Sequence, residues 1–360
     1  MDERTGMTST WLRRVFGLTS TNPAQATTET GVSVAVAPPK LIEAADAAPL
    51  ELSSVLFESD GFARPDWDTV SDWIASIPDP DEQAAAWGRC EIAWLQHMQQ
   101  ALGTNYRIEM ADDVALLTSQ DTVSARNTLG FVAKSRQRIE RLLTGLAEIP
   151  EWGHDIVIVF DDEDSYYRYA SHHYPDEGEF AFSSGMYLGD GCGHFITIKD
   201  QVTKIEPVIV HELTHALLGH LPIPTWLNEG LAVNTEHRFY PPVIGTHQGG
   251  TSAAEQHQRH QRFWGATEIQ QFWSGESFKR TDEGNELSYD LARILVEQFA
   301  ADWPHFQKFA NEANYTDGGA QAAQKHLGIQ LGVSVCALLE REHAFEYEPV
   351  QQPLTSNFTD

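Results

Sequence analysis

His211 and His215 lie four residues apart in VIVHELTHALLGHLPIPTWLNE, the stretch from Val208 to Glu229. On a helix that spacing projects both imidazoles from one face, about one turn apart, where they can reach a single metal ion. Glu212 follows the first of them, placed to work on a metal-bound water. The residues on either side, Pro207 to Val210 and Ala216 to Leu218, are apolar, as a buried helix carrying a polar site requires. HExxH on a helix has a defined chemistry: zinc on the two histidines and the glutamate as general base.

A catalytic zinc takes three protein ligands and keeps one open position. The candidates for the third are His220, Glu229, Glu236 and His237. His220 is five residues past His215 and points away from the pair. Glu229 lies in the first turn of a following helix, read here as capped by Thr225, and the Pro222–Pro224 turn can fold that helix back onto the first. Glu236 falls near the same face. A first-turn carboxylate also suits the helix dipole, but the ligand role is favoured.

HELTHALL followed by PTWLNEGLAV resembles the gluzincin metallopeptidases, most closely the compact peptidase MA-like domains with HExxH and WLxEGLA. The resemblance implies that His211, His215 and Glu229 hold one zinc ion and that Glu212 is the general base of peptide-bond hydrolysis. It also implies a zincin-like fold. The spacing departs from the larger thermolysin and aminopeptidase types, whose third-ligand position here is Asn234, a side chain that supplies no anionic ligand. The likeness extends more weakly from about Tyr106 to Glu340, and the first hundred residues lie outside it. Related gluzincins use a tyrosine after the third ligand as oxyanion donor; Tyr289, read as opening the helix SYDLARILVEQF, is the best match, with His194, His247 and Arg293 as weaker alternatives. Zincins bind substrate along an edge strand, for which Ser184–Leu188 or Phe195–Ile198 are expected. The His-Gln-Arg segment around His257 and His260 could bind a second metal, but a solvated helix is the favoured reading.

The elements that must position these residues follow from pattern. Residues 1–50, rich in Thr, Ala, Pro and Ser, read as a disordered tail with one amphipathic segment (Trp11, Leu12, Val15, Phe16, Leu18). Residues 51–103 read as a helical extension, with helices over 66–77 and 81–102. A zinc domain is expected over 104–345, divided into a lobe of about 104–220 and a helical lobe of about 221–345, and 346–360 as a flexible end. Within it Tyr106–Met110, Val114–Leu117 and Ile156–Phe160 read as strands, with a long helix from Ser119 or Asp121 to Leu146. The fold class is therefore α+β: a small mixed sheet with helices, the HExxH helix between lobes, and a helical carboxy-terminal lobe.

Composition narrows the function. Lys and Arg number 24 against 52 Asp and Glu, a net charge of −28, which opposes nucleic-acid binding and offers anionic membranes no polybasic patch. Cys90, Cys192 and Cys336 lie far apart, which argues against a disulfide scaffold and for a reducing compartment. No apolar run approaches the roughly 18 residues of a membrane span, and two arginines lie inside the most apolar stretch of the first 20 residues, which therefore lacks the apolar core expected of a secretory signal. The expectation is a cytoplasmic zinc metallopeptidase acting on a peptide or protein substrate; the alternative is a regulatory zinc-binding or protein-interaction domain without strong catalysis.

Overall fold

A computed structural model describes residues 37–150, 152–173, 185–189, 191–241 and 252–351. The chain forms two compact units, Met1–Gln137 with Ile149–Ile209, and Arg138–Glu148 with Val210–Asp360. The architecture is mixed α and β.

The first unit opens with two antiparallel pairs, β1 (Leu41–Ile42) with β2 (Leu50–Glu51) and β3 (Leu56–Ser59) with β4 (Phe62–Pro65). Ser59 pairs with Phe62 across Asp60-Gly61, whose φ angles are 48° and 82°; positive values at both positions make the tight hairpin turn that suits strand twist. Helix α1 (Trp67–Ala75) is capped by Asp66, and α2 (Pro80–Leu102) by Asp79 with proline in its first turn. A five-stranded sheet follows, in the order β5 (Arg107–Ala111), β6 (Val114–Thr118), β7 (Asp155–Phe160), β9 (His194–Ile198), β8 (Gly185–Leu188). The three central strands are parallel, joined through α3 (Thr122–Leu142) and α4 (Glu163–Ala170). They are buried almost throughout, as their continuous apolar runs require.

One core joins the amino-terminal segments to the sheet: Phe62 packs edge-on to Phe160 and Tyr169, and Trp94 to His194. Residues 51–103 carry the two expected helices and also a hairpin, and they share one core and one unit with the sheet. The ordered chain also reaches into the expected tail, because Ile42 and Leu50 are buried in this core.

The second unit is helical. From Val210 it contains most of α5 (Glu206–Leu218), then α6 (Thr225–Phe239), α7 (Ala253–Phe263), α8 (Ala266–Ser274), α9 (Glu283–Phe299), α10 (Trp303–Glu312) and α11 (Leu331–Leu339). The division therefore falls inside the HExxH helix, not near 220. Residues 138–148 join this unit through Glu148 N–H to the Leu217 carbonyl (2.9 Å) and Asn311 Nδ2 to the Gly145 carbonyl (3.0 Å). Its core centres on buried Trp226, which meets Phe272, Trp273, Phe299 and Phe309 and donates Nε1–H to the Gly318 carbonyl at 2.9 Å. The expected flexible end is held as far as it is described: Tyr347 is buried, and Glu348 accepts from Gly332 N–H at 2.6 Å.

Helices α6 and α9 approach closely at Gly230, where an added Cβ would lie 2.6 Å from both the Ala292 carbonyl oxygen and Val296 Cγ2. Asn234 bridges them, donating Nδ2–H to the Gly230 carbonyl (2.7 Å) and the Arg293 carbonyl (2.9 Å). Among the described residues no helix is long and apolar enough to cross a membrane, and Cys90, Cys192 and Cys336 are all free and buried.

Buried His194 faces the Cys192 carbonyl with Nδ1 (2.8 Å) and the Tyr169 hydroxyl with Nε2 (2.9 Å). The carbonyl only accepts, so Nδ1 carries the proton and Tyr169 donates to Nε2. Burial pulls this imidazole down to about 3. A histidine favoured neutral stabilises the fold fully above its unfolded value of about 6.5, and that contribution drains away as pH falls toward 3. In ¹⁵N-edited NMR, His194 should show the Nδ1–H tautomer and stay neutral at pH 5; a protonated ring at that pH would contradict the assignment.

Candidate metal centre

Helix α5 presents His211 and His215 on one face, while Val210, Leu213, Leu217 and Leu218 are buried and fix its rotation. Thr214, also buried, returns its hydroxyl to the Val210 carbonyl at 2.8 Å. Helix α6 then enters through Pro222 and Pro224. Thr225 is not its cap: Pro224 holds that position, and its carbonyl accepts from Leu227 and Asn228 N–H at 3.0 and 3.1 Å. Thr225 instead packs beside Gly275, where a Cβ would lie 2.7 Å from its hydroxyl oxygen.

The result is a convergence on one oxygen. Oε2 of Glu229 lies 3.3 Å from His211 Nε2 and 3.3 Å from His215 Nε2. The outer nitrogens are engaged elsewhere, His211 Nδ1 facing Glu236 Oε2 at 3.4 Å and His215 Nδ1 facing Asn228 Oδ1 at 3.1 Å. Acceptors at Nδ1 fix ring orientation and direct Nε2 inward, as outer partners of metal-binding histidines do. Among the described residues, His211, His215 and Glu229 are the one set of three such side chains whose donor atoms all lie within 4.8 Å of one another. Donors bonded to a tetrahedral zinc at about 2.0–2.1 Å sit about 3.3 Å apart. Two nitrogens and one carboxylate oxygen at these separations fit such an ion.

The electrostatics follow from burial against pairing. Burial alone would raise the Glu229 carboxyl, but hydrogen bonds to the two imidazoles outweigh it and hold the group at about 2. Burial likewise disfavours the His211 imidazolium, yet Glu229 and Glu236 raise it to about 9. Glu212 is half-buried, and desolvation lifts its carboxyl above the usual range despite both neighbouring imidazoles. Tyr289 lies with its ring 6.4 Å from that of His211 and edge-on to Phe278. Burial, with Glu229 and Glu212 nearby, holds its phenol protonated.

Other expected participants are placed elsewhere. Tyr289 does not open its helix; α9 begins at Glu283 behind the Asp282 cap, so Tyr289 sits in its second turn. His220 turns to Glu148 at 3.8 Å, and Arg293 is taken by Asp290 and Glu297. His194 belongs to the core of the first unit and His247 lies outside the described residues. His237 is half-buried beside Glu236 on α6, outside the converging set. His257 and His260 serve different partners: His257 faces Glu340 at 3.5 Å, while buried His260 bonds Asp290 at 2.9 Å and accepts from Trp264 Nε1–H at 2.9 Å. They do not form a metal pair: His257 keeps a partly exposed side chain on the helix surface, as a solvated face would, whereas His260 is buried. Phe195–Ile198 lies in β9 between two strands and has no free edge, while among the described strands β8 ends the sheet order.

The roles of Asn228 and Glu236 as outer acceptors were not read from the sequence, although the need for an Nδ1 partner was a signal to look for them. Comparison with protein-family models, curated proteins and solved structures found no match to this chain. If Glu236 orients His211, Glu236→Gln should weaken zinc binding by about 10–100-fold in a chelator-competition titration. Unchanged affinity would remove it from the centre.

Proposed function

We propose that this protein is a zinc-dependent metallopeptidase with a zincin-like arrangement, His211, His215 and Glu229 holding one ion. The observation that carries the reading is the shared 3.3 Å approach of both Nε2 atoms to Glu229 Oε2, with each Nδ1 engaged from outside. When bound, zinc would acidify a water and polarise the scissile carbonyl.

The remaining steps belong to side chains of this chain. Glu212 takes the proton of the attacking water and returns it to the leaving amine, a task suited to a carboxyl whose affinity for protons burial has raised. Tyr289 remains protonated and supplies a hydrogen-bond donor to the developing oxyanion. Asn228 and Glu236 keep the imidazoles turned inward. Three free, buried cysteines suit a reducing compartment and therefore cytoplasmic action.

Glu212→Gln should lower peptide cleavage by about 10²–10⁴-fold at unchanged zinc content, read by mass spectrometry of a digested peptide library. Zinc retained with wild-type cleavage would refute Glu212 as the base. Zinc retained by a wild-type protein that cleaves nothing would favour the regulatory alternative.

A further inference from the structure

We propose that a groove along the first half of α2 is the docking site of the chain's own leader segment, residues 11–18. This site lies in the first unit and is independent of the metal centre. The cavity has a volume of about 780 Å³. Ala84, Ala85, Gly88 and Ile92 of α2 form one wall, and Leu41, 49% exposed, stands on the other. The His154 ring fills the space beside Gly88, 3.2 Å from where a Cβ would lie, so close approach is left to Ala84 and Ala85. Their small side chains admit an apolar helix at short range.

Three observations select the leader as occupant. Trp11, Leu12, Val15, Phe16 and Leu18 have the spacing of one apolar helix face. The same segment carries Arg13 and Arg14 and no acid, in a chain of net charge −28. The groove offers the complementary sign. Glu43 is exposed and Asp113 is 61% exposed, shared with Arg136, while the cations present are already matched: Arg89 to Glu82 and His154 to buried Glu91, both at 2.6 Å. Finally, the tether ends at the site. Residues 19–36 connect the segment to Pro39 and Leu41, which themselves line the groove. A chain of that length reaches at most about 60 Å, and such tethering raises the local concentration to the millimolar range.

The test uses disulfide trapping in the full chain, where the natural thiols are buried. Phe16→Cys combined with Ala85→Cys should form an intramolecular disulfide at least tenfold faster than Phe16→Cys combined with Val123→Cys, a control at an exposed position outside the groove. Adding Trp11→Asp should abolish that preference. Equal rates at the two positions would overturn the proposal, and co-sedimentation with phosphatidylserine vesicles would then assign the segment to a lipid surface. A disulfide formed only between chains would overturn it in favour of a second copy.

Discussion

Two imidazoles on one helix can face the same space, but a third donor must come from a different helix, and its placement depends on how that helix is seated. Here the seat is the approach of α6 to α9 at Gly230, the residue next to Glu229 in sequence. Any side chain at 230 would meet the Ala292 carbonyl and Val296 at 2.6 Å. Overpacking of that kind costs about 1–3 kcal/mol and would be relieved by moving α6. Asn234 fixes the same contact from the polar side, and Trp226 anchors the start of α6 in an aromatic core. The 3.3 Å separations at Glu229 are thus set by packing at the adjacent residue.

Burying ionisable groups is unfavourable unless they are paired and hydrogen-bonded. Two sites in the second unit do this with different outcomes. At His260, the ring sits between Asp290 and Trp264, Asp290 is shared with Arg293 and Gln256, and each polar group has its own partner. At His211 and His215, two inner nitrogens share a single carboxylate oxygen and are only partly covered. The first arrangement is closed and structural; the second leaves donors facing a common point, as an ion-binding site must.

The sequence was most informative where periodicity and chemistry coincide. The spacing of His211 and His215 on an apolar run fixed one helical face, and Pro222 and Pro224 announced the reversal that returns Glu229. The buried strand at Ile156–Phe160 was equally plain, being apolar throughout. Other features were hidden for physical reasons. The start of α9 was misplaced because Gly284 and Asn285 look like helix breakers, yet Asp282 caps at Gly284 N–H and the missing side chain makes room for Phe263 and Arg280. The pairs β1–β2 and β3–β4 are too short for alternation to register. His260 looked solvated because its neighbours are polar, and only tertiary packing brings Trp264 and Asp290 to it.

The proposed role of His211, His215 and Glu229 together is to hold one metal ion. Elemental analysis of the purified protein after zinc loading and dialysis tests it most directly. One zinc per chain is expected, lost in Glu229→Ala while the fold is retained by circular dichroism. A folded wild-type protein with no bound zinc, or Glu229→Ala with its zinc intact, would contradict it.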